Sequence, residues 1–234
     1  MLLSASKCHI KNGKFSVQCN FNLKTGNHLS FFGPSGSGKS TVLLGFAGFL
    51  PVINGELIYD DKSISNLEPK DRPFDLLFQD NNLFPHLTVS RNILLGLGTK
   101  AEMDSQNSNI VNKIIDQVGL SKERDRLPEH ISGGQRSRAA IARSLIRKKP
   151  ILLLDEPFAA LDFGLKNEIL DLLLRVSKKN NLSIILVSHD PRDVQHLGGD
   201  VVLFSENGRT DFYKNKSFWS KFSNKLLSSK VYDK

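Results

Sequence analysis

Gly33-Pro34-Ser35-Gly36-Ser37-Gly38-Lys39-Ser40 fits the spacing G-x-x-x-x-G-K-[ST] at every fixed position. Before it, His28–Phe32 is a short apolar run. After it, helical spacing begins at Gly38 and continues to about Phe49, where Pro51 stops it. In a glycine-rich turn between strand and helix, backbone N–H groups can face a phosphate, because no Cβ blocks the approach. The helix adds the positive end of its dipole. Desolvating three adjacent phosphates is unfavourable unless such donors replace water, so the expected ligand is ATP. Lys39 is then placed to reach the β- and γ-oxygens and the Ser40 hydroxyl to ligate Mg2+, with Thr41 completing the cofactor-binding run. The flanking strand and helix argue against a chance glycine-rich loop.

A second constellation is Ile151-Leu152-Leu153-Leu154-Asp155-Glu156. Four apolar residues carry a strand through a core and deliver two carboxylates at its C-terminal end, where α/β sheets bind ligands. Asp155 fits a Mg2+ partner, directly or through the ion's water shell. Glu156 is then free to polarise an attacking water. Three single residues or runs join them. Gln79 ends a strand expected over Phe74–Phe78 and can touch the metal or the water. Ser132-Gly133-Gly134-Gln135 opens a helix running to about Lys148, a second anion-binding N-terminus. His189 follows the strand Ile184–Val187 and can contact the γ-phosphate. Singly, these could be a surface glutamine, an ordinary cap and a turn histidine. Their order and spacing carry the argument: 40 residues from Lys39 to Gln79, 53 to Ser132, 23 to Asp155, and 33 from Glu156 to His189.

Working outward, Phe15, Val17, Cys19, Phe21 and Leu23 alternate with polar residues, as in a half-buried strand. Residues 54–64 read as a hairpin around Asp60-Asp61. Between about Asp80 and Lys149 strand patterning disappears, and Ile110, Val111, Ile114, Ile115 and Val118 share one helical face capped at Asp104 or Ser105. The core then resumes, with an amphipathic helix through Ile169–Val176 and a last buried strand at Val201–Phe204. Alternating strands and helices argue for an α/β fold: a P-loop NTPase core with a mainly parallel sheet, an N-terminal antiparallel β subdomain and an inserted helical subdomain. The expected organisation is a catalytic core at 1–79 and 150–213, a helical subdomain at 80–149 and a basic tail at 214–234.

Together these motifs resemble the ABC ATPases, the nucleotide-binding subunits of ATP-binding-cassette transporters, over roughly Phe21 to Gly208. Gly33–Ser40 looks like their Walker A, Gln79 their Q-loop, and Ile131-Ser132-Gly133-Gly134-Gln135 their signature, with Ile131 where Leu is usual. Ile151–Glu156 looks like Walker B, Ala160-Leu161-Asp162 the D-loop, and His189 the switch histidine. The resemblance implies a head-to-tail homodimer sandwiching two ATP molecules, with Ser132, Gly134 and Gln135 of one copy facing the Walker A of the other and Asp162 in the nucleotide-binding set. It implies Glu156 as general base, with His189 and Gln79 assisting, and Mg2+ held by Ser40, Gln79 and Asp155. It further implies a two-domain or dimeric membrane permease, a periplasmic or extracellular solute-binding protein, and a peripheral place on the cytoplasmic face of the inner membrane. An adenine-stacking aromatic normally precedes Walker A. Phe15 is the nearest candidate, though its strand pattern suits a core residue. The stretch Leu76–Val89, with Asn92 and Leu95-Gly96-Leu97-Gly98, is similar to the ATPase subunits of thiamine importers. That similarity implies thiamine or a thiamine phosphate as the cargo; Phe-Pro-His-Leu-Thr-Val also suits importers of iron, molybdate, sulfate or polyamines, which are the alternatives.

Bulk properties agree. The chain is 39% hydrophobic and 24% charged, ordinary for a globular protein. No apolar run approaches the roughly 18–20 residues of a membrane span. The start lacks the pattern of an export signal, and only a short segment follows the core, so no appended regulatory β-domain is expected. The formal net charge is +8, and residues 214–234 carry six lysines and one acid around Phe218, Trp219 and Phe222. That segment reads as a solvated basic helix, or as one held near anionic headgroups. No RNA-type recognition module accompanies the charge, and no nucleic-acid partner is expected. Cys8 and Cys19 read as reduced, buried thiols.

Overall fold

Alternation builds the first sheet. In the computed structural model, which describes residues 2–77, 83–158 and 161–228, β1 (Leu3–Asn12) pairs antiparallel with β2 (Phe15–Leu23) across a turn at Gly13. Val17, Cys19, Phe21 and Leu23 are buried while the residues between them face out. Cys8 and Cys19 are register partners across this pair; both are buried and both are free thiols. Next come β3 (His28–Phe32) and α1 (Lys39–Ala47). The sequence pattern ran α1 to Phe49. It ends earlier because Gly48 adopts a left-handed cap at φ 90° and Phe49 N donates back to Leu44 O. β4 (Val52–Tyr59) and β5 (Lys62–Ser63) form the expected hairpin, and β4 joins β1 to complete a four-stranded antiparallel sheet.

β6 (Phe74–Leu77) leads to residues 78–82, so Phe78 and Gln79 lie outside the described residues. Helices follow: α2 (Val89–Leu94) capped by Thr88, α3 (Ser105–Val118) capped by Asp104, and α4 (Gly133–Leu145). α4 also stops short of its expected end at Lys148, because Pro150 disfavours helix at the residue before it and Lys148 turns left-handed at φ 54°. Then come β7 (Ile151–Asp155), α5 (Phe163–Asn180), β8 (Ser183–Ser188), α6 (Pro191–Leu197), β9 (Asp200–Phe204), β10 (Thr210–Tyr213) and α7 (Asn215–Ser228).

The second sheet has order β10-β9-β3-β8-β7-β6, parallel except at the β10 edge. Its central strands are buried on both faces, which is why they read as continuous apolar runs. Leu153, Ile185 and Val187 face one core with Phe31, Phe46 and the antiparallel sheet. Leu152, Leu154, Ile184 and Leu186 face a second core formed with α2 to α5. A third cluster departs from the expected solvated terminal helix. Phe218 of α7 is 0% exposed and packs against Phe32, Val194 and Val201, while Lys214, Lys216 and Lys221 stay exposed. The aromatic residues among those lysines are therefore an inward face.

Candidate functional site

Sheet register gathers the motifs. Phe32 at the end of β3 pairs with Ser188 at the end of β8, and Val187 pairs with Asp155 at the end of β7. Parallel strands end together, so Gly33–Ser40, Asp155-Glu156 and His189 emerge at one C-terminal edge, where α/β sheets place ligands.

The loop closes on itself through Lys39, whose Nζ donates to Gly33 O at 2.9 Å and Pro34 O at 2.7 Å. Burial lowers the Lys39 ammonium from its ordinary value, while the charges of Glu156 and Asp155 pull it back up. Gly38 sits at φ 98°, and a Cβ there would come within 2.7 Å of the Phe15 ring. Phe15 thus lies directly on the loop. It borders a cleft of about 340 Å³ together with Ser35, Gly36, Lys39, Ser40, Thr41 and Glu156. Ser37 Oγ is buried and has no hydrogen-bond partner among the described residues. A larger cavity of about 640 Å³ lies toward the opposite strand ends, around Pro150 and Leu182; Ile151 and Leu152 at the start of β7 line it, but neither Asp155, Glu156, His189 nor any residue of Gly33–Ser40 does.

Ser40 Oγ donates to Asp155 Oδ1 at 2.8 Å. Burial raises the Asp155 carboxyl above its usual value; the Ser40 bond opposes this, the Glu156 charge adds to it, and the Lys39 charge opposes it. Glu156 adopts φ 45°, a left-handed backbone that costs a non-glycine residue energy. Its N–H donates to Val187 O at 3.2 Å, tying the turn to the neighbouring strand. Glu156 Oε2 lies 3.3 Å from His189 Nδ1. Two residues 33 apart in sequence are therefore in direct contact.

The remaining motif residues stand apart from this cleft. Ser132 caps α4 in a reciprocal box: its Oγ accepts from Gln135 N at 3.2 Å, and Gln135 Oε1 accepts from Ser132 N at 2.9 Å. A Cβ on Gly134 would collide with the Leu165 side chain, so α4 packs closely on α5 here. Asp162 caps α5, its Oδ1 accepting from Leu165 N at 3.0 Å. None of Ser132, Gly134, Gln135 or Asp162 lines the cleft beside Gly33–Ser40. Ala160 and Gln79 lie outside the described residues.

Two polar clusters escaped the sequence reading. Asn92 is fully buried; it accepts from Phe84 N at 2.7 Å and donates to the carbonyls of Phe84, Leu87 and Thr88 at 3.0, 2.8 and 3.1 Å, fixing the Phe84–Thr88 turn. Next to that turn is a groove of about 570 Å³ bordered by Phe84, Leu87, Leu95, Arg143 and Arg147, with Phe84 45% exposed. The other cluster joins Lys166 to Asp190 and Asp193. No spacing rule links a lysine to carboxylates 24 and 27 residues away.

Comparison with known proteins is extensive. The family profile described as ABC transporter matches residues 17–159. A protein of a Ruegeria species named Thiamine import ATP-binding protein ThiQ is 40% identical over 88% of this chain and 89% of its own. Proteins of the same name are 44% identical in Yersinia pseudotuberculosis, over 81% of this chain and 80% of theirs, and 43% in Haemophilus influenzae, over 86% and 93%. Among solved structures, cbiO1 of Clostridium perfringens, described as part of the ABC transporter complex cbiONQ, superposes with TM-score 0.82 at 27% identity, covering 97% of this chain and 96% of that one. Among the described residues no helix is long and apolar enough to cross a membrane.

Proposed function

We propose, from the premise that this chain belongs to the ABC transporter family, that it is the ATP-hydrolysing subunit of an importer whose cargo is thiamine or a thiamine phosphate. The observation that carries the cargo is the shared name of relatives 37–44% identical over most of both chains. Hydrolysis rests on the family and on the meeting of Lys39, Asp155, Glu156 and His189 at one sheet edge.

The residues suit the chemistry. Gly33, Pro34, Ser35, Gly36 and Gly38 shape a cradle into which backbone donors can point, and the buried Ser37 hydroxyl, unpartnered among the described residues, is one more donor for a phosphate oxygen. Lys39 adds a buried cation beside it, and Thr41 lies on the cleft wall. Ser40 Oγ and Asp155 Oδ1, 2.8 Å apart, are hard oxygen ligands side by side. They fit Mg2+, which keeps several waters and takes phosphate oxygens for other ligands. Bound there with Gln79, the ion would neutralise charge on the β- and γ-phosphates. Glu156 accepts a proton from the attacking water, and His189, in contact with it, steadies both the carboxylate and the γ-phosphate. Phe15, beside the loop, offers its ring to the adenine.

Ser132, Gly134 and Gln135 lie outside the cleft of their own chain, which suits a site completed by a second copy. Two chains related head to tail would each close the other's nucleotide with the N-terminus of α4, and Asp162 would sit at that junction. The groove beside Phe84 is the surface we assign to a membrane permease. A solute-binding protein on the far side would deliver the cargo. These partners put the chain on the cytoplasmic face of the membrane.

Uptake of labelled thiamine by cells lacking this gene tests the reading. Wild-type chain should restore uptake and Glu156→Gln should not. Normal thiamine uptake in the deletion strain, with lost uptake of iron, molybdate or a polyamine, would replace the cargo.

A further inference from the structure

Lys166 is the fourth residue of α5, and its Nζ lies between two carboxylates of another element: 2.9 Å from Asp190 Oδ2 and 2.6 Å from Asp193 Oδ1. All three side chains are largely removed from water, at 15%, 11% and 6% exposure. Such a cluster is costly to assemble, and it holds only because each charge is met in place.

The carboxylates it grips are not on a plain helix face. Asp190 is the cap of α6 and the immediate neighbour of His189. On the other side of His189, Ser188 Oγ accepts from Asp190 N at 3.0 Å and donates to Asp193 Oδ2 at 2.7 Å. Both residues flanking His189 are thus bound into the knot that Lys166 holds from outside. Lys166, Asp190 and Asp193 line one cavity of about 170 Å³ together with Glu156 and His189.

A simpler role would be to dock α6 on α5, but that packing has its own polar ties further along. His196 meets Asn167 at 3.2 Å and Asp171 at 2.7 Å, and Leu197 is buried. Lys166 acts at the start of α6, on its cap Asp190 and on Asp193 in its first turn. Its own N–H closes the first turn of α5 by donating to Asp162 O at 3.0 Å. One side chain therefore links the capped start of α5 to the loop bearing His189.

We propose that Lys166 is a positioning residue, fastening the His189 loop to the first turn of α5 and so setting where His189 stands relative to Glu156 and the γ-phosphate. The assignment rests on the ATPase reading above. It also couples two segments: a shift of the Asp162 turn carries the His189 loop with it.

Steady-state ATP hydrolysis by the purified full chain tests this. Removing Lys166 alone leaves the buried Asp193 without its cation, so the main variant is Lys166→Met with Asp193→Asn, in which Asp190 keeps its contact with Arg192. That double variant should still unfold cooperatively, at a somewhat lower thermal midpoint because Asp190 loses its bond to Lys166, and should keep an unchanged KM for ATP. Its kcat should fall about tenfold or more, since a small misplacement of a catalytic group has effects of this order. Lys166→Arg, which can span both carboxylates, should retain most of kcat. A folded double variant with wild-type kcat overturns the proposal, as does a raised KM at unchanged kcat, which would assign Lys166 to nucleotide binding. Loss of folding in both variants also overturns it, because the tie would then belong to the fold and not to the site. If the wild-type chain itself hydrolyses no ATP, the ATPase reading is what fails.

Discussion

At Glu156 the backbone turns left-handed and the carboxylate meets His189, while its neighbour Asp155 is held by Ser40. One carboxylate is anchored and the other stands beside a histidine, so a change at Glu156 should separate nucleotide binding from hydrolysis. Glu156→Gln keeps the side chain's size and removes its basicity. In saturating Mg-ATP this variant should elute as a dimer in size-exclusion chromatography, and a persistent monomer would count against the two-copy site. Asp190 offers a second test at this scale. Burial opposes its ionisation, but hydrogen bonds from Arg192 and Lys166 outweigh that and bring its carboxyl to about 2 from 3.8. The native form therefore binds fewer protons than the unfolded chain between those values. Its stabilisation is complete above about pH 4 and is lost as pH falls toward about 2, a contribution of roughly 2 kcal/mol. Asp190→Asn should lower the urea midpoint at neutral pH and flatten the decline below about pH 4. A decline as steep as wild type's would remove this role.

Among the elements, α7 is the one whose character differs most from its sequence. Its lysines advertise a solvated helix, yet Phe218 is sealed between Phe32 and Val201, with Tyr213, Trp219 and Phe222 around it. Truncating a fully buried phenylalanine costs about 3–5 kcal/mol. Phe218→Ala should accordingly lower the thermal midpoint clearly, while Lys216→Ala on the exposed face should leave it nearly unchanged. Equal, small effects would mean that α7 contributes little to the core. Because Phe32 immediately precedes Gly33, α7 also braces the strand that leads into Gly33–Ser40.

For the molecule as a whole, what was legible in the sequence was whatever is local or periodic. The strand–loop–helix around Gly33, the apolar run ending in Asp155-Glu156, and the strand-free stretch before Ser132 all carry their own signals. Contacts set by long-range register left none: Lys166 with Asp190 and Asp193, and Phe218 with Phe32, depend on how distant segments meet. The family resemblance assigned Ser132, Gly134 and Gln135 to another copy's nucleotide, something that no periodicity in one chain can express. Cys8 and Cys19, facing each other across β1 and β2, have a practical consequence. They are the chain's two thiols, both lie in the antiparallel layer, and neither is reachable while that layer is closed. An alkylating reagent therefore acts as a stopwatch on the opening of one sheet, read without any engineered label. If nucleotide binding stiffens the layer that carries Phe15, Mg-ATP should slow the modification of both cysteines; an unchanged rate would mean that the layer opens independently of the site.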